Sequence, residues 1–189
     1  SIAVFCGSAS GLHYDYKSAA FSVGQSLAAA GHTIIYGGGH VGLMGAVAEG
    51  CLEAGGHVIG VMPRALVKRE IAHKGLTELL IVEDMHERKA EMAHRADAFM
   101  VLPGGSGTLE EFFEQWTWAQ IGYHEKPIGL INVDSYFSPL LTMLDKMVSC
   151  GFLSQAHRRM LFDRSRADEL LEDFADYNHP PIKGYRLNK

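Results

Sequence analysis

Ala98-Phe99-Met100-Val101-Leu102-Pro103-Gly104-Gly105-Ser106-Gly107-Thr108-Leu109-Glu110-Glu111 is the stretch on which the reading of this chain turns. Its first five residues are a short, uninterrupted apolar run ended by a turn, the pattern of a strand buried on both faces of a parallel sheet. Its last residues open a helical pattern rich in aromatics. Strand, glycine loop and helix therefore follow one another. Three glycines let the backbone come close to a ligand, and the helix N-terminus behind them adds partial positive charge. The loop thus reads as an anion cradle suited to a phosphate. Glu111 admits two roles on spacing alone: Thr108-Leu-Glu-Glu111 fits a capping box in which Glu111 turns back to the Thr108 amide, and it also fits an acid presented beside the loop.

The same alternation continues on either side. Ile2–Cys6, Gly31–Tyr36, His57–Met62, Glu78–Glu83 and Lys126–Asn132 read as further strands, the last being the final one the pattern supports. Between them lie amphipathic helices over Tyr14–Ala30, Gly42 to about Ala54, Asp84–Ala96, Tyr136–Ser149 and Arg166–Ala175. Asp84-Met-His-Glu87 fits a capping box, which sets Arg88 in the first turn of its helix. Residues 65–75 read as an irregular or partly helical excursion. Strands alternating with helices predict a single-domain, Rossmann-like α/β fold, a doubly wound parallel sheet with helices on both faces and right-handed crossovers. The domain is expected over residues 1–176, with 177–189 a tail that is either a strap or a loose end.

At 189 residues, 47% hydrophobic and 21% charged, the chain is long enough to bury roughly 70% of its unfolded surface with no metal or disulfide to staple it. A net charge of −5 without a long basic run argues against nucleic-acid or anionic-membrane surfaces, so the expected partner is a small molecule. Cys6, Cys51 and Cys150 sit in apolar surroundings and read as buried thiols. With no apolar run long enough to span a membrane and no charged leader before Ile2, they predict a cytoplasmic address. The ten histidines form no ligand cluster, so neither metal nor cofactor is expected. Gly37-Gly-Gly-His-Val-Gly42 matches Gly-x-Gly-x-x-Gly, but the dinucleotide fingerprint also asks for an acid at the end of the next strand, and His57–Met62 ends in Pro63-Arg64. The turn is assigned to a mononucleotide or to tight packing.

Ligands of open α/β sheets bind beyond the carboxyl ends of the strands, where strand order reverses. Gly7–Gly11, Gly37–Gly42, Glu83–Arg88 and Pro103–Glu111 all fall there. Arg88 and Glu111 follow successive strands, which predicts a facing pair. Phe112, Phe113, Trp116, Trp118 and Tyr123 read as core, with a base pocket or a subunit contact as the alternative for Trp118.

Taken as a whole, Pro103–Glu111 resembles the Pro-Gly-Gly-x-Gly-Thr-x-x-Glu signature of the Lonely Guy (LOG) family of nucleoside 5′-monophosphate phosphoribohydrolases. The likeness includes Lys68-Arg-Glu-Ile71, Met85–Met92 with Arg88-Lys89, Asp97-Ala-Phe, Thr117–Gly122 and Lys126–Asp134. It covers most of residues 1 to about 160 and fades beyond. It implies a homodimer that cleaves the N-glycosidic bond of cytokinin riboside 5′-monophosphates or AMP, releasing free base and ribose 5-phosphate. It implies substrate contacts at Glu70, Arg88, Lys89, Gly105, Ser106, Gly107, Thr108, Glu111 and Thr117, with Arg88 and Glu111 catalytic. Ser106 stands where plant members usually carry tyrosine. Bond cleavage builds positive charge at C1′, which suits a carboxylate at Glu111, and an always-charged guanidinium at Arg88 suits a phosphate or ribose. Relatives have been labelled lysine decarboxylases, yet no lysine here has a pyridoxal-phosphate context. The competing reading is a non-catalytic nucleotide or molybdenum-cofactor carrier of the same fold.

Overall fold

The structure is a computed structural model that describes residues 1–67 and 72–182. The elements run β1 (Ile2–Phe5), α1 (Tyr14–Ala29), β2 (Ile34–Tyr36), α2 (Gly42–Glu53), β3 (Val58–Pro63), α3 (Arg64–Val67), β4 (Glu78–Val82) and α4 (Met85–Arg95). They continue β5 (Ala98–Val101), α5 (Ser106–Gln120), β6 (Ile128–Ile131), a 3-10 turn (Val133–Ser135), α6 (Ser138–Ser149), α7 (Gln155–Arg158), β7 (Leu161–Arg164) and α8 (Ala167–Ala175). The seven strands form one parallel sheet in the order β4-β3-β2-β1-β5-β6-β7. Strand order reverses between β1 and β5, whose registers pair Ile2 with Ala98 through Phe5 with Val101. The expected doubly wound α/β architecture is the observed one.

The apolar runs are continuous because both faces of the central strands are covered. Ile2 and Val4 of β1, with Ala98 and Met100 of β5, join a core with Val23 and Leu27 of α1, Val47 of α2 and Leu170 of α8. Ala3, Phe5, Phe99 and Val101 point the other way into a second core with Met92 of α4, Phe112 and Trp116 of α5 and Leu144 of α6. The helices α4 and α5 thus share one face of the sheet. Among the described residues no helix is long and apolar enough to cross a membrane.

Four expectations need correction. The strand β7, parallel to β6, lies past the last strand expected from sequence. As an edge strand whose Asp163 and Arg164 are only partly covered or exposed, it lacks the apolar run of its neighbours. Cys150 is exposed rather than buried, because it caps the C-terminus of α6, a helix whose one fully buried residue is Leu144. Tyr123 is 73% exposed rather than core, since Gly122 at φ 83° turns the chain out of α5 before it. The Asp84 box closes one residue early: the Asp84 carboxylate accepts from the His86 and Glu87 amides at 2.8 and 2.9 Å, but Glu87 reaches back to the Glu83 amide.

Helices α1 and α2 meet backbone to backbone, and two glycines make this approach possible. A Cβ on Gly24 would lie 2.2 Å from the Val47 carbonyl oxygen, and one on Gly50 would lie 2.1 Å from that of Phe21. Alanine favours an isolated helix by about 1 kcal/mol over glycine, yet here it would force the helices apart. Gly24→Ala is expected to lower stability in urea by about 1–3 kcal/mol, and an unchanged or raised midpoint would contradict this packing.

Candidate active site

The loops after β1 and β5 meet at the switch point. Gly7 N–H donates to the Pro103 carbonyl at 3.0 Å, and a Cβ on Gly104 would stand 2.8 Å from the Gly7 nitrogen and 2.1 Å from Thr108 Oγ1. Packing alone therefore requires glycine at 104. At 105 and 107 it does not: a Cβ there would meet nothing within 4 Å, and neither residue has positive φ. These two glycines and Ser106 are exposed, at the head of a fifteen-residue helix whose first amides have no intrahelical acceptor. Thr108 is buried beneath them. A cavity of about 250 Å³ opens beside this loop, lined by Gly7, Ser10, Tyr16, Leu43, Gly104 and Tyr136 among others.

The Gly37–Gly42 turn is spent on packing. Leu43 and Met44 at the start of α2 donate to the Gly7 carbonyl at 3.0 and 3.3 Å, so these amides serve the protein rather than a pyrophosphate. Gly42, at φ 63°, lies against the Ser8 backbone, where a Cβ would be 2.3 Å from the carbonyl carbon. Gly37 leaves room for a guanidinium: a Cβ there would be 2.1 Å from Arg88 Nη2.

Arg88 and Glu111 meet as expected. Arg88 Nη1 donates to Glu111 Oε1 at 2.6 Å and Nε donates to the Val61 carbonyl of β3 at 3.2 Å; both side chains are about 10% exposed. The capping-box reading of Thr108–Glu111 is overturned. The helix α5 begins at Ser106 with Gly105 as its cap, so Thr108 and Glu111 both lie inside it, and the Glu111 carboxylate faces α4 rather than its own N-terminus. Burial pushes the Glu111 carboxyl above the ordinary glutamate range, and Arg88 opposes that rise. The Cys6 thiol is pushed up strongly, first by burial and then by the Glu111 charge, which leaves it unreactive.

Lys89 is also buried, but its ammonium lies against α5, 2.5 Å from Glu110 Oε1 and 2.9 Å from Glu114 Oε1. Burial works to lower its pKa; the two carboxylates outweigh that, and the net direction is upward. Thr117 is exposed, about 16 Å of helix rise beyond Ser106, and the structure does not bring it to the loop. Glu70 lies outside the described residues. Tyr136 is a loop contact that sequence reasoning missed: its hydroxyl donates to the Gly104 carbonyl at 2.5 Å. The available signal was topological, because Asn132–Tyr136 follows β6 at the same carboxyl edge as the glycine loop. Among the described residues no group of three or more His, Cys, Asp or Glu is placed to hold a metal. A larger cavity, of about 630 Å³ between α8 and residues 176–180, lies away from the switch point and has no glycine-loop amides.

Comparison with known proteins places the chain in a family. The family described as "Possible lysine decarboxylase" matches residues 44–174, extending past residue 160 where the signature residues run out. The chain is 49% identical over 176 residues to the cytokinin riboside 5′-monophosphate phosphoribohydrolase LOG7 of Arabidopsis thaliana, covering 93% of this chain and 81% of that protein. To LOG1 of the same plant, which has the same descriptive name, it is 47% identical over 93% of this chain and 83% of that one. Among solved structures, the molybdenum cofactor binding protein of the phototrophic bacterium Rippkaea orientalis superposes with a TM-score of 0.70 over 92% of this chain and 94% of that one. At 18% identity that likeness establishes the fold alone. Near-half identity over nearly the whole chain decides the matter of kinship: this protein belongs to the Lonely Guy family, whose signature its Pro103–Glu111 loop carries.

Proposed function

We propose that the protein is a phosphoribohydrolase that hydrolyses the N-glycosidic bond of cytokinin riboside 5′-monophosphates, with AMP as a second substrate, releasing free base and ribose 5-phosphate. The observation that carries the reading is a buried carboxylate, Glu111, held by Arg88 one helical turn and a half from the head of a glycine loop. Family membership supports it. The carrier reading rests on fold likeness alone, which does not assign function.

In this reading the amides of Gly105, Ser106 and Gly107 receive the 5′-phosphate at the head of α5, and Thr108 supports them from below. The open space over Gly105 and Gly107 fits a ligand group that approaches the backbone closely. As the bond to the base lengthens, C1′ and the ring oxygen acquire positive charge. Glu111 stabilises that charge and orients or deprotonates the attacking water. A buried acid would ordinarily be neutral, so Arg88 has a second task besides the substrate: its fixed charge keeps Glu111 ionised enough to act. Lys89 would contribute by fixing α4 against α5, and Glu70 by meeting ribose hydroxyls or the base. No step requires a metal or an electron sink. The family resemblance also supports a homodimer in the cytoplasm, with Trp118 and the exposed Tyr123 at the C-terminal end of α5 as surface a second copy would cover.

Incubating the purified protein with isopentenyladenosine monophosphate and with AMP, and following release of free base, tests the activity and ranks the substrates. Glu111→Gln is expected to retain nucleotide binding while turnover falls about 10²–10⁴-fold; bound nucleotide with no base released from the wild type would point to the carrier instead. Gly105→Ala is expected to fold with wild-type stability but to bind nucleotide more weakly, whereas Gly104→Ala should lose stability, and calorimetry with a denaturant series separates the two. The pH dependence follows from the sign of the Glu111 shift. Because the carboxylate is the working form and its pKa is raised, kcat should fall on the acid side with a midpoint above the ordinary glutamate range. Arg88→Met removes the lowering influence, so the acid limb should move to higher pH; an unmoved limb would assign it to another group.

A further inference from the structure

We propose that Tyr136 is a positioning residue for the phosphate subsite: its hydroxyl fixes the Gly104 carbonyl and thereby aims the Gly105 amide into the cradle. The proposal takes the phosphate-bearing substrate from the function argued above.

Peptide geometry links the two groups. No peptide bond among the described residues is cis, and in a trans peptide the carbonyl and the following N–H point in opposite directions. With the Gly104 oxygen held 2.5 Å from Tyr136 Oη, the N–H of Gly105 has to face away from Tyr136. Among the described residues no acceptor meets that amide. A Gly-Gly peptide has no side chains to hinder its rotation, so its orientation has to be fixed from outside. Gly104 itself cannot move aside, packed as it is against Thr108 Oγ1 and the Gly7 nitrogen.

The segment that delivers Tyr136 is strained. Asp134 (φ 49°) and Ser135 (φ 58°) are the only non-glycine residues with positive φ among those described, a conformation that L side chains rarely adopt. The turn is held shut by the Tyr136 amide on the Val133 carbonyl at 3.0 Å and by the Phe137 amide on Asn132 Oδ1 at 2.7 Å. The Tyr136 ring packs edge-on against Phe137 and Tyr16, with centroids 5.0 and 5.8 Å away. Phenylalanine would keep both ring contacts. The hydroxyl is the polar group the turn brings to the Gly104 carbonyl.

Tyr136→Phe isolates that group. Calorimetry with ribose 5-phosphate is expected to show affinity falling about tenfold, the scale of one well-placed hydrogen bond. Isopentenyladenosine, which has no phosphate, should bind the variant as it binds the wild type. With the monophosphate, KM should rise by a similar factor and kcat stay within about twofold, as when binding common to ground and transition states is lost. Unchanged ribose 5-phosphate affinity, an equal loss for the riboside, or no ribose 5-phosphate binding by the wild type would each overturn the proposal. A wild type that binds ribose 5-phosphate but cleaves no nucleotide would sink the hydrolase reading while the calorimetric comparison still decides the role of Tyr136. Should the variant fail to fold, the wild-type Gly105 amide resonance provides the same decision: it should move on addition of ribose 5-phosphate, and a stationary resonance overturns the proposal.

Discussion

The ion pair between Arg88 and Glu111 is the constraint around which the site is arranged. Both groups are almost wholly removed from water, and the gain from their mutual attraction does not in general exceed the cost of desolvating them. A pair of well-packed apolar side chains would hold α4 against α5 at least as well. What the pair needs from its surroundings is extensive. It takes a β3 carbonyl as a second acceptor for the guanidinium, a residue without a side chain at Gly37, and two helices on one face of the sheet. Removing either partner alone would leave a buried charge, at a cost of about 3–5 kcal/mol.

Topology explains why these two helices supply the pair. The chain winds outward from β1 to β4 and then returns to β5 beside β1, and α4 is the helix that makes this return. Its N-terminal turn therefore begins at the carboxyl edge of the sheet and passes β3 on the same face that α5 will occupy. The reversal of strand order creates the crevice, and the connection responsible for the reversal brings Arg88 to it. Lys89, one position on, points to Glu110 and Glu114 and locks the flanks of the same two helices. Two adjacent residues of α4 thus divide the work, one toward the crevice and one toward α5.

Much of this was legible in the residues because it depends on local rules. Six of the seven strands are apolar runs or alternations closed by turn residues, and Asp84 marks the start of α4 so closely that Arg88 could be placed in its first turn. The edge strand β7 was not legible, since a strand with one neighbour and a half-wet face does not need an apolar run. Nor was the role of Glu111 decidable from spacing. The string Thr-x-x-Glu has the same form whether the helix starts at Thr108 or two residues before it, and the start at Ser106 comes with Gly104 wedged against Gly7, a contact between loops far apart in sequence. The Lys89 pairs and the Tyr136 hydroxyl were hidden for the same reason, being contacts between elements whose separation only the assembled sheet sets.

The sign of the charge at position 111 bears on what such a site is for. A site built only to hold a nucleotide phosphate would gain from cations and amides near the glycine loop and lose from a carboxylate. Glu111 lies five residues after Ser106, roughly 8 Å along α5, where a unit negative charge opposes a unit negative ligand by about 2 kcal/mol at an effective dielectric of 20. Arg88 offsets that penalty for the ground state. In the proposed reaction the stretching glycosidic bond would turn the sugar cationic, and the same carboxylate would then attract the ligand rather than oppose it. Under that proposal, a carboxylate tolerated beside the bound nucleotide and attractive toward its oxocarbenium form would be differential binding of the transition state. A carrier has no use for it, and that asymmetry favours turnover over storage.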